Sequence, residues 1–288
     1  MSEPKKKLSI PNLKDRKTRK EKTTLVAVGD FLMAQWAERG GVDIVGVGDS
    51  LGMTLYGHST TLPMTVDQMI EHVKAVRRGA PNTLCITAMP FGSYATSDIA
   101  IHSALRLIKE GGAEAVKLQG GREKFDIIKA VADAGIPVMS HVGLCPHFVN
   151  SLGGFKTQGR TVEDALKIID NARAIEEAGA VGIEIEAVPP QVAAAVEEAV
   201  DIFTFSIGAG NPGYGQALNG ADLIGAFDNF KPKFSKRYGN VAEVAVNAFL
   251  EFVKEVKEEK FPNADHSYSM PHEEAQKLQA ALSGKHSR

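Results

Sequence analysis

The chain has 288 residues, of which 43% are hydrophobic and 24% are charged, a composition typical of a globular protein with a sizeable core. A net charge of -2, from 33 basic and 35 acidic residues, gives no whole-chain attraction to nucleic acid or to an anionic membrane. Its two cysteines, Cys85 and Cys145, exclude a disulfide framework and a four-ligand zinc cluster. Because no apolar run approaches the roughly 20 residues that span a bilayer, we expect a cytoplasmic protein without nucleic-acid or membrane partners.

Residues 1–22 form a basic leader segment, in which nine lysines and arginines accompany three acidic residues. Such an imbalance can mark an arm that binds polyanions. A solvated leader helix ahead of the core is the interpretation we favour.

From Thr24 onward, short apolar runs rich in β-branched residues alternate with segments of helical period. Thr65 is placed to cap a helix that ends at residues 79–81, and further helices are predicted at 162–178 and 241–256. Alternating strands and helices with short connections predict a parallel sheet, and eight strands fit a closed (β/α)8 TIM barrel better than an open doubly wound sheet. The predicted strands are 25–29, 43–48, 83–88, 115–119, 137–142, 181–186, 201–207 and 222–226.

The predicted organisation is therefore one barrel domain at 23–265. The leader at 1–22 precedes it, and a polar C-terminal tail at 266–288 follows it. In such a barrel the active site lies at the C-terminal ends of the strands.

Polar residues stand at several of these strand ends. Asp49 and Ser50 follow the second predicted strand at a glycine-flanked turn, where they serve either a ligand or a helix cap. Lys117 and Gln119 share one face of the fourth strand. A lysine in a buried parallel strand needs a charged partner or a substrate, so Lys117 is a candidate functional residue.

The fifth and sixth predicted strands add a histidine and two carboxylates. Glu184 and Glu186 share a face of the sixth strand, with roughly 6.6 Å of strand rise between their backbones. A buried carboxylate with a raised pKa can act as a general base beside a carbonyl group, and an ion pair with Lys117 would not exclude that role. His141 is either a structural histidine or a ligand or acid. The small residues at 206–211 admit a ligand or pack a helix start, and they lack the full dinucleotide fingerprint.

Ordered motifs along the chain carry a family resemblance. They include GDSLGM at 48–53, GHSTTLPMTV at 57–66, PFGSYAT at 90–96, VKLQGG at 116–121, HVGLCP at 141–146, GGFKTQGR at 153–160 and EAVP at 186–189. Together they resemble the ketopantoate hydroxymethyltransferase (3-methyl-2-oxobutanoate hydroxymethyltransferase) family over about residues 8–268.

The resemblance implies a (β/α)8 barrel of the phosphoenolpyruvate mutase and isocitrate lyase superfamily, assembled as a homo-oligomer, usually a decamer. It also implies transfer of a one-carbon unit from 5,10-methylenetetrahydrofolate to 3-methyl-2-oxobutanoate, which gives 2-dehydropantoate for pantothenate biosynthesis. In the family, Mg2+ binds the 2-oxo acid and stabilises its enolate. By position, Asp49 is a metal ligand, Ser50 and Lys117 contact the 2-oxo acid, and Glu186 removes the C3 proton. His141 is a pocket residue whose role stays open.

Three positions depart from the family pattern. Ala88 and Gln119 stand where the family has acidic groups at the metal site, and Glu184 stands where the family usually has an apolar residue. With Asp49 as the one remaining acid, we expect weak Mg2+ binding or none. Lys117 is then expected to stabilise the enolate. The candidate catalytic residues are Glu186 and Lys117, and the candidate substrate-binding residues are Asp49, Ser50, Lys117, Gln119, His141 and Glu184.

Two alternatives to the parent reaction follow from these departures. One is a diverged paralogue that forms or cleaves a C–C bond in another 2-oxo acid, with weak or no metal dependence. The other is a non-catalytic partner of an active homologue, which the retained Lys117 and Glu186 argue against. Nucleic-acid binding through residues 1–22 is a distant fourth hypothesis.

Overall fold

Eight parallel strands close into a barrel in sequence order, with the last strand paired to the first. The computed structural model describes residues 7–283, and its topology confirms the predicted (β/α)8 fold. The strands are β1 (Thr23–Ala27), β2 (Ile44–Val47), β3 (Leu84–Ala88), β4 (Ala115–Lys117), β5 (Val138–Gly143), β6 (Gly182–Glu186), β7 (Phe203–Ile207) and β8 (Gly215–Asn219).

Helices follow most of the strands and cover the outside of the barrel, so β2 and β3 are buried along their whole length. The helices are α1 (Ile10–Thr18), α2 (Phe31–Arg39), α3 (Leu51–Thr54), α4 (Val66–Gly79), α5 (Ser97–Lys109), α6 (Phe125–Asp133), α7 (Val149–Leu152), α8 (Val162–Glu177), α9 (Pro190–Ala199), α10 (Gly220–Leu223), α11 (Val241–Lys257) and α12 (His272–Ser283). The predicted helices at 162–178 and 241–256 are confirmed as α8 and α11.

The start of α4 shows how the sequence sets a helix boundary. The Thr65 side chain accepts a hydrogen bond from the Gln68 backbone N–H, while the Gln68 side chain accepts one from the Thr65 backbone N–H. This reciprocal cap satisfies two donors that a helix start leaves free. The predicted cap at Thr65 is therefore confirmed.

The predicted eighth strand at 222–226 is wrong, because β8 lies earlier, at Gly215–Asn219. The sequence pattern did not indicate β8, because Gln216 and Asn219 interrupt its apolar run. Residues 222–223 instead belong to α10, whose start is capped by the Asn219 side chain accepting a hydrogen bond from the Ala221 N–H at 3.1 Å. The return from β7 can be short because β8 begins beside the middle of β7, at Phe205.

The leader helix α1 is less solvated than its sequence suggests. Leu13 is buried with the residues that fill the barrel. Lys17 Nζ donates hydrogen bonds to the carbonyls of Val200 at 2.7 Å and Ile202 at 3.0 Å, just before β7 begins. The predicted leader helix is therefore present and partly solvated, and its buried side packs at the end of the barrel where the strands start.

The chain separates into two compact units, one ending at Gly239 and the other beginning at Asn240. The second unit contains α11 and also α12, which lies in the segment predicted as a polar tail. Large apolar side chains along α11 are exposed: Val244, Val246, Phe249, Leu250, Phe252, Val253 and Val256. The predicted limits of 23–265 for the barrel domain stay a prediction. Among residues 7–283, no helix combines the length and the apolar character needed to cross a membrane.

Candidate active site

A cavity of about 380 Å³ opens at the C-terminal ends of the strands. Every candidate site residue with a polar side chain lines it: Asp49, Ser50, Lys117, Gln119, His141, Glu184 and Glu186. Ala88, which ends β3, is buried and is not among the lining residues. The structure thus brings the predicted residues together in one place.

Strand register explains why the acidic and basic groups meet. In the parallel pair of β5 and β6, His141 lies opposite Glu184, and Gly143 lies opposite Glu186. Lys117 ends β4, which pairs with β5 on its other side. Since side chains two residues apart share a strand face, these neighbouring strands direct their polar side chains into the same cavity at the barrel mouth.

Lys117 and Glu184 form a buried ion pair between Nζ and Oε2. Burial alone would lower the pKa of Lys117, but the carboxylates of Glu184, Asp49 and Glu186 outweigh it and hold the pKa above its ordinary value. Lys117 is therefore a permanent cation in the neutral pH range. The charged partner that a lysine in this strand requires is Glu184.

His141 lies between the two glutamates. Its Nε2 is 3.2 Å from Glu186 Oε2, and its Nδ1 is 3.8 Å from Glu184 Oε2. Neither nitrogen makes a hydrogen bond of good geometry, although the side chain is only 2% exposed. A buried imidazole whose nitrogens make no well-formed hydrogen bond can offer one to a bound molecule.

Glu186 is held by the backbone around it rather than by a side-chain hydrogen bond. Its carbonyl accepts a hydrogen bond from the Leu144 N–H at 2.9 Å, and the next residue, Ala187, adopts a left-handed conformation with φ of 48°. The side chain of Glu186 keeps 16% exposure at the cavity, against 4% for Glu184. Of the two carboxylates, Glu186 is the more accessible to a ligand.

Sequence reasoning missed His147 and its partner Tyr94. His147 lies in a 3-10 turn, Pro146–Phe148, just beyond β5, and its imidazole joins Asp49 Oδ2 through Nε2 and the Tyr94 hydroxyl through Nδ1. The His147 backbone N–H also donates to Gln119 Oε1 at 2.9 Å. The available signal was a histidine shortly after a strand whose end already carried polar residues.

Ser50 has a polar neighbour on β8. The side-chain N–H of Asn219 donates to Ser50 Oγ at 3.3 Å, and both residues line the cavity. Asn219, which also caps α10, was not identified from the sequence. It orients the hydroxyl that the family resemblance places on the substrate.

The donor set does not fit a tightly held magnesium ion. Asp49 Oδ2 is bound by His147, Gln119 Oε1 accepts the His147 N–H, and Ala88 has no ligand atom. Magnesium is a hard cation that is usually held by one or two carboxylates together with substrate oxygens and water. Among the described residues, no group of three or more histidine, cysteine, aspartate or glutamate side chains is placed to hold a metal ion.

The fold alone relates the chain to a set of solved structures. Phosphonopyruvate hydrolase matches with a TM-score of 0.60 and 15% identity, covering 96% of this chain and 97% of that protein. A 2,3-dimethylmalate lyase, a member of the PEP mutase/isocitrate lyase superfamily, matches with a TM-score of 0.57 and 15% identity, covering 95% of this chain and 98% of the other. At such low identity the likeness establishes the barrel and nothing about the reaction.

Sequence comparison carries more information. The family model for ketopantoate hydroxymethyltransferase matches residues 7–264. A 3-methyl-2-oxobutanoate hydroxymethyltransferase of Methylibium petroleiphilum is 49% identical over 92% of this chain and 90% of its own length, and one of Alkaliphilus metalliredigens is 47% identical over 95% and 98%. Since these matches span the barrel and the residues at its mouth, the chain belongs to the ketopantoate hydroxymethyltransferase family.

Proposed function

We propose that this enzyme transfers a hydroxymethyl group to 3-methyl-2-oxobutanoate and forms 2-dehydropantoate, a step of pantothenate biosynthesis. The names of relatives that are 41–49% identical support this reaction, as does the convergence of Glu186, Lys117 and His141 on one cavity. The observation that carries the proposal is the accessible Glu186 carboxylate beside a buried, permanently charged lysine. A base and a cation in one cavity are what enolate formation from a 2-oxo acid requires.

Proton abstraction is the first chemical step in this proposal. The carboxylate of Glu186 takes the proton from C3 of the oxo acid, and the electron pair of the C3–H bond delocalises onto the 2-oxo oxygen. Gly143 lies opposite Glu186 in the register and leaves the space beside its backbone free of a side chain. The Glu186 side chain therefore lines the cavity and is not packed inside the barrel.

Lys117 is the group proposed to stabilise the enolate. Its ammonium lies in a buried, weakly screened site, where a preorganised charge is worth more than in water. As negative charge moves onto the 2-oxo oxygen, Lys117 can share its hydrogen bonds between Glu184 and that oxygen. The imidazole of His141, which makes no well-formed hydrogen bond, can supply a further donor to the same region.

Exposed cations at the mouth match the other charges of the substrates. Lys156 and Lys233 line the same cavity and are exposed. We assign them to the carboxylates of the 2-oxo acid and of 5,10-methylenetetrahydrofolate, the proposed donor of the one-carbon unit. Ser50, oriented by Asn219, is proposed to hydrogen-bond the oxo acid.

Metal dependence is proposed to be weak or absent. Asp49 is the remaining acidic ligand position of the family, and any Mg2+ bound there would depend on oxygens of the substrate. A diverged paralogue that uses another 2-oxo acid without metal is the second candidate function, and the engagement of Asp49 by His147 is the observation that favours it.

The decisive assay is formation of 2-dehydropantoate from 3-methyl-2-oxobutanoate and 5,10-methylenetetrahydrofolate, followed by mass spectrometry. Product formation that is lost in Glu186→Gln supports the proposed function. Absence of product with magnesium and with other divalent ions contradicts it. A panel of related 2-oxo acids run in parallel identifies the second candidate function.

We also propose that the protein is cytoplasmic and assembles as a homo-oligomer, of which a decamer is the expected form. The exposed apolar side chains of α11 support assembly, because such a helix face needs a partner surface. Light scattering on the purified protein tests this, and a monomer at micromolar concentration would contradict it.

A further inference from the structure

His147 contacts the residues at two of the three positions where the family resemblance places acidic groups around a metal. Its imidazole Nε2 contacts Asp49 Oδ2, and its backbone N–H donates to Gln119 Oε1 at 2.9 Å. The third position, Ala88, has no polar side chain. A single residue of the chain therefore engages one carboxylate oxygen of Asp49 and the side-chain oxygen of Gln119.

The imidazole is fixed in orientation by Tyr94. The phenol contacts His147 Nδ1, and the two rings stack with centroids 5.7 Å apart. When the phenol donates to Nδ1, it is the Nε2–H that points at the Asp49 carboxylate.

Burial makes this arrangement rigid. The side chains of His147 and Asp49 are 2% and 7% exposed, and Tyr94 is 5% exposed. A buried carboxylate needs a partner, and here a donor on the chain provides it. The same oxygen cannot accept this hydrogen bond and coordinate a cation through the same lone pair.

We propose that His147, oriented by Tyr94, is a positioning residue that replaces the divalent cation as the partner of Asp49, so that proton abstraction by this enzyme does not require a metal. The inference rests on the proposed function, because it concerns the enolate-forming step of that reaction. Lys117 then carries the charge stabilisation that the family resemblance assigns to Mg2+.

The half-reaction that tests this needs no folate. In D2O, Glu186 removes the C3 proton of 3-methyl-2-oxobutanoate, the electron pair delocalises onto the 2-oxo oxygen, and a deuteron from the exchanged carboxylate returns to C3. Loss of the C3–H signal in proton NMR measures the rate. We expect the full-length enzyme to catalyse this exchange equally well in EDTA and in magnesium chloride.

Variants separate positioning from a merely structural role. His147→Ala and Tyr94→Phe should slow the exchange by about 10–100-fold, the range typical of outer partners that orient a functional group. His147→Gln keeps an N–H donor and should retain more activity than His147→Ala. In His147→Ala the Asp49 carboxylate is free, so added magnesium should restore part of the exchange. His102→Ala, the same change at an exposed histidine, should leave the rate unchanged.

Calorimetric titration with magnesium chloride in the presence of the oxo acid gives a readout independent of turnover. Saturable binding by the unmodified enzyme would overturn the inference, and so would exchange that is lost in EDTA and recovered with magnesium. Exchange in EDTA without formation of 2-dehydropantoate would contradict the proposed function but leave the inference standing. If no exchange occurs under either condition, the proposed base chemistry fails and the titration alone decides about the metal.

Thermal unfolding of each variant identifies any that is unfolded, and Tyr94→Phe, which removes one oxygen, is the mildest change.

Discussion

At the scale of single residues, Glu186 is the proposed base. Glu186→Gln keeps the shape of the side chain but removes its ability to accept a proton. We expect the rate of C3 exchange and of product formation to fall by about 10²–10⁴-fold, the usual contribution of a positioned base. Glu198→Gln, at an exposed position on α9, is the matched control and should keep full activity. A Glu186→Gln variant with ordinary exchange would remove Glu186 from the mechanism.

The ion pair of Lys117 and Glu184 is expected to act as a unit. Lys117→Met leaves Glu184 as a buried carboxylate without its partner, which costs about 3–5 kcal/mol of stability for a pair of this kind. The double variant Lys117→Met/Glu184→Gln removes both charges and should recover most of that loss. Urea unfolding of the two variants checks this, and equal instability of both would show that the unpaired Glu184 carboxylate is not the cause of the loss.

The sequence predicts the identities of these residues better than their pairings. Lys117 in a buried strand demands a partner, and the two-residue strand period already places Glu184 and Glu186 on one face. The period cannot tell which glutamate binds the lysine, because that depends on the stagger between strands. His147 was not predicted because it lies in a short turn, where no periodic pattern indicates the direction of a side chain.

At the scale of elements, the end of β5 shapes the position of the base. Gly143 has φ of 88°, and a Cβ atom there would collide with the Glu186 carbonyl. Gly143→Ala should therefore reduce both stability and kcat, because the strand must shift to relieve the clash. Gly135→Ala is a matched control: its φ is 80° and a Cβ would meet nothing within 4 Å, so it should cost about 1–2 kcal/mol of strain without loss of kcat. Activity assays and urea unfolding on both variants check the pair, and equal kcat would contradict the expected link to Glu186.

The strands that the sequence predicts correctly are the buried ones. The runs at 43–48 and 83–88 are apolar on both faces, as expected where helices cover a parallel sheet. β8 differs because Gln216 faces solvent and Asn219 faces the cavity, so its apolar pattern is broken. Its identity depends on pairing with β1 and β7, which is long-range information that a local pattern does not contain.

At the scale of the whole molecule, three buried side chains that are weak acids, two cysteines and one tyrosine, should lower the stability at alkaline pH. Burial raises the pKa of Cys85 to about 12, and it also raises the pKa values of Cys145 and Tyr94. The folded protein therefore keeps these protons while the unfolded chain releases them, from about pH 8.5 for cysteine and about pH 10 for tyrosine. Because the native state then binds more protons than the unfolded state, the free energy of unfolding should fall as pH rises above about 8.5.

Urea unfolding between pH 7 and pH 10.5 measures this effect. The midpoint should be steady near neutrality and then decline, and Cys85→Ala should show a shallower decline because one of the groups is removed. A midpoint that rises or stays constant up to pH 10.5 would contradict the assignment of these protons to the folded state.

If His147 has its proposed role, its contact with Asp49 also changes what the enzyme needs from its surroundings. When an enzyme must bind an ion, the fraction of the protein that is active depends on the free concentration of that ion. The bound ion also raises the apparent stability by mass action. A donor that is covalently part of the chain arrives with folding and cannot diffuse away or be exchanged for a competing metal. Under the proposed role of His147, the competent fraction equals the folded fraction at any magnesium concentration, and a chelator has nothing to remove.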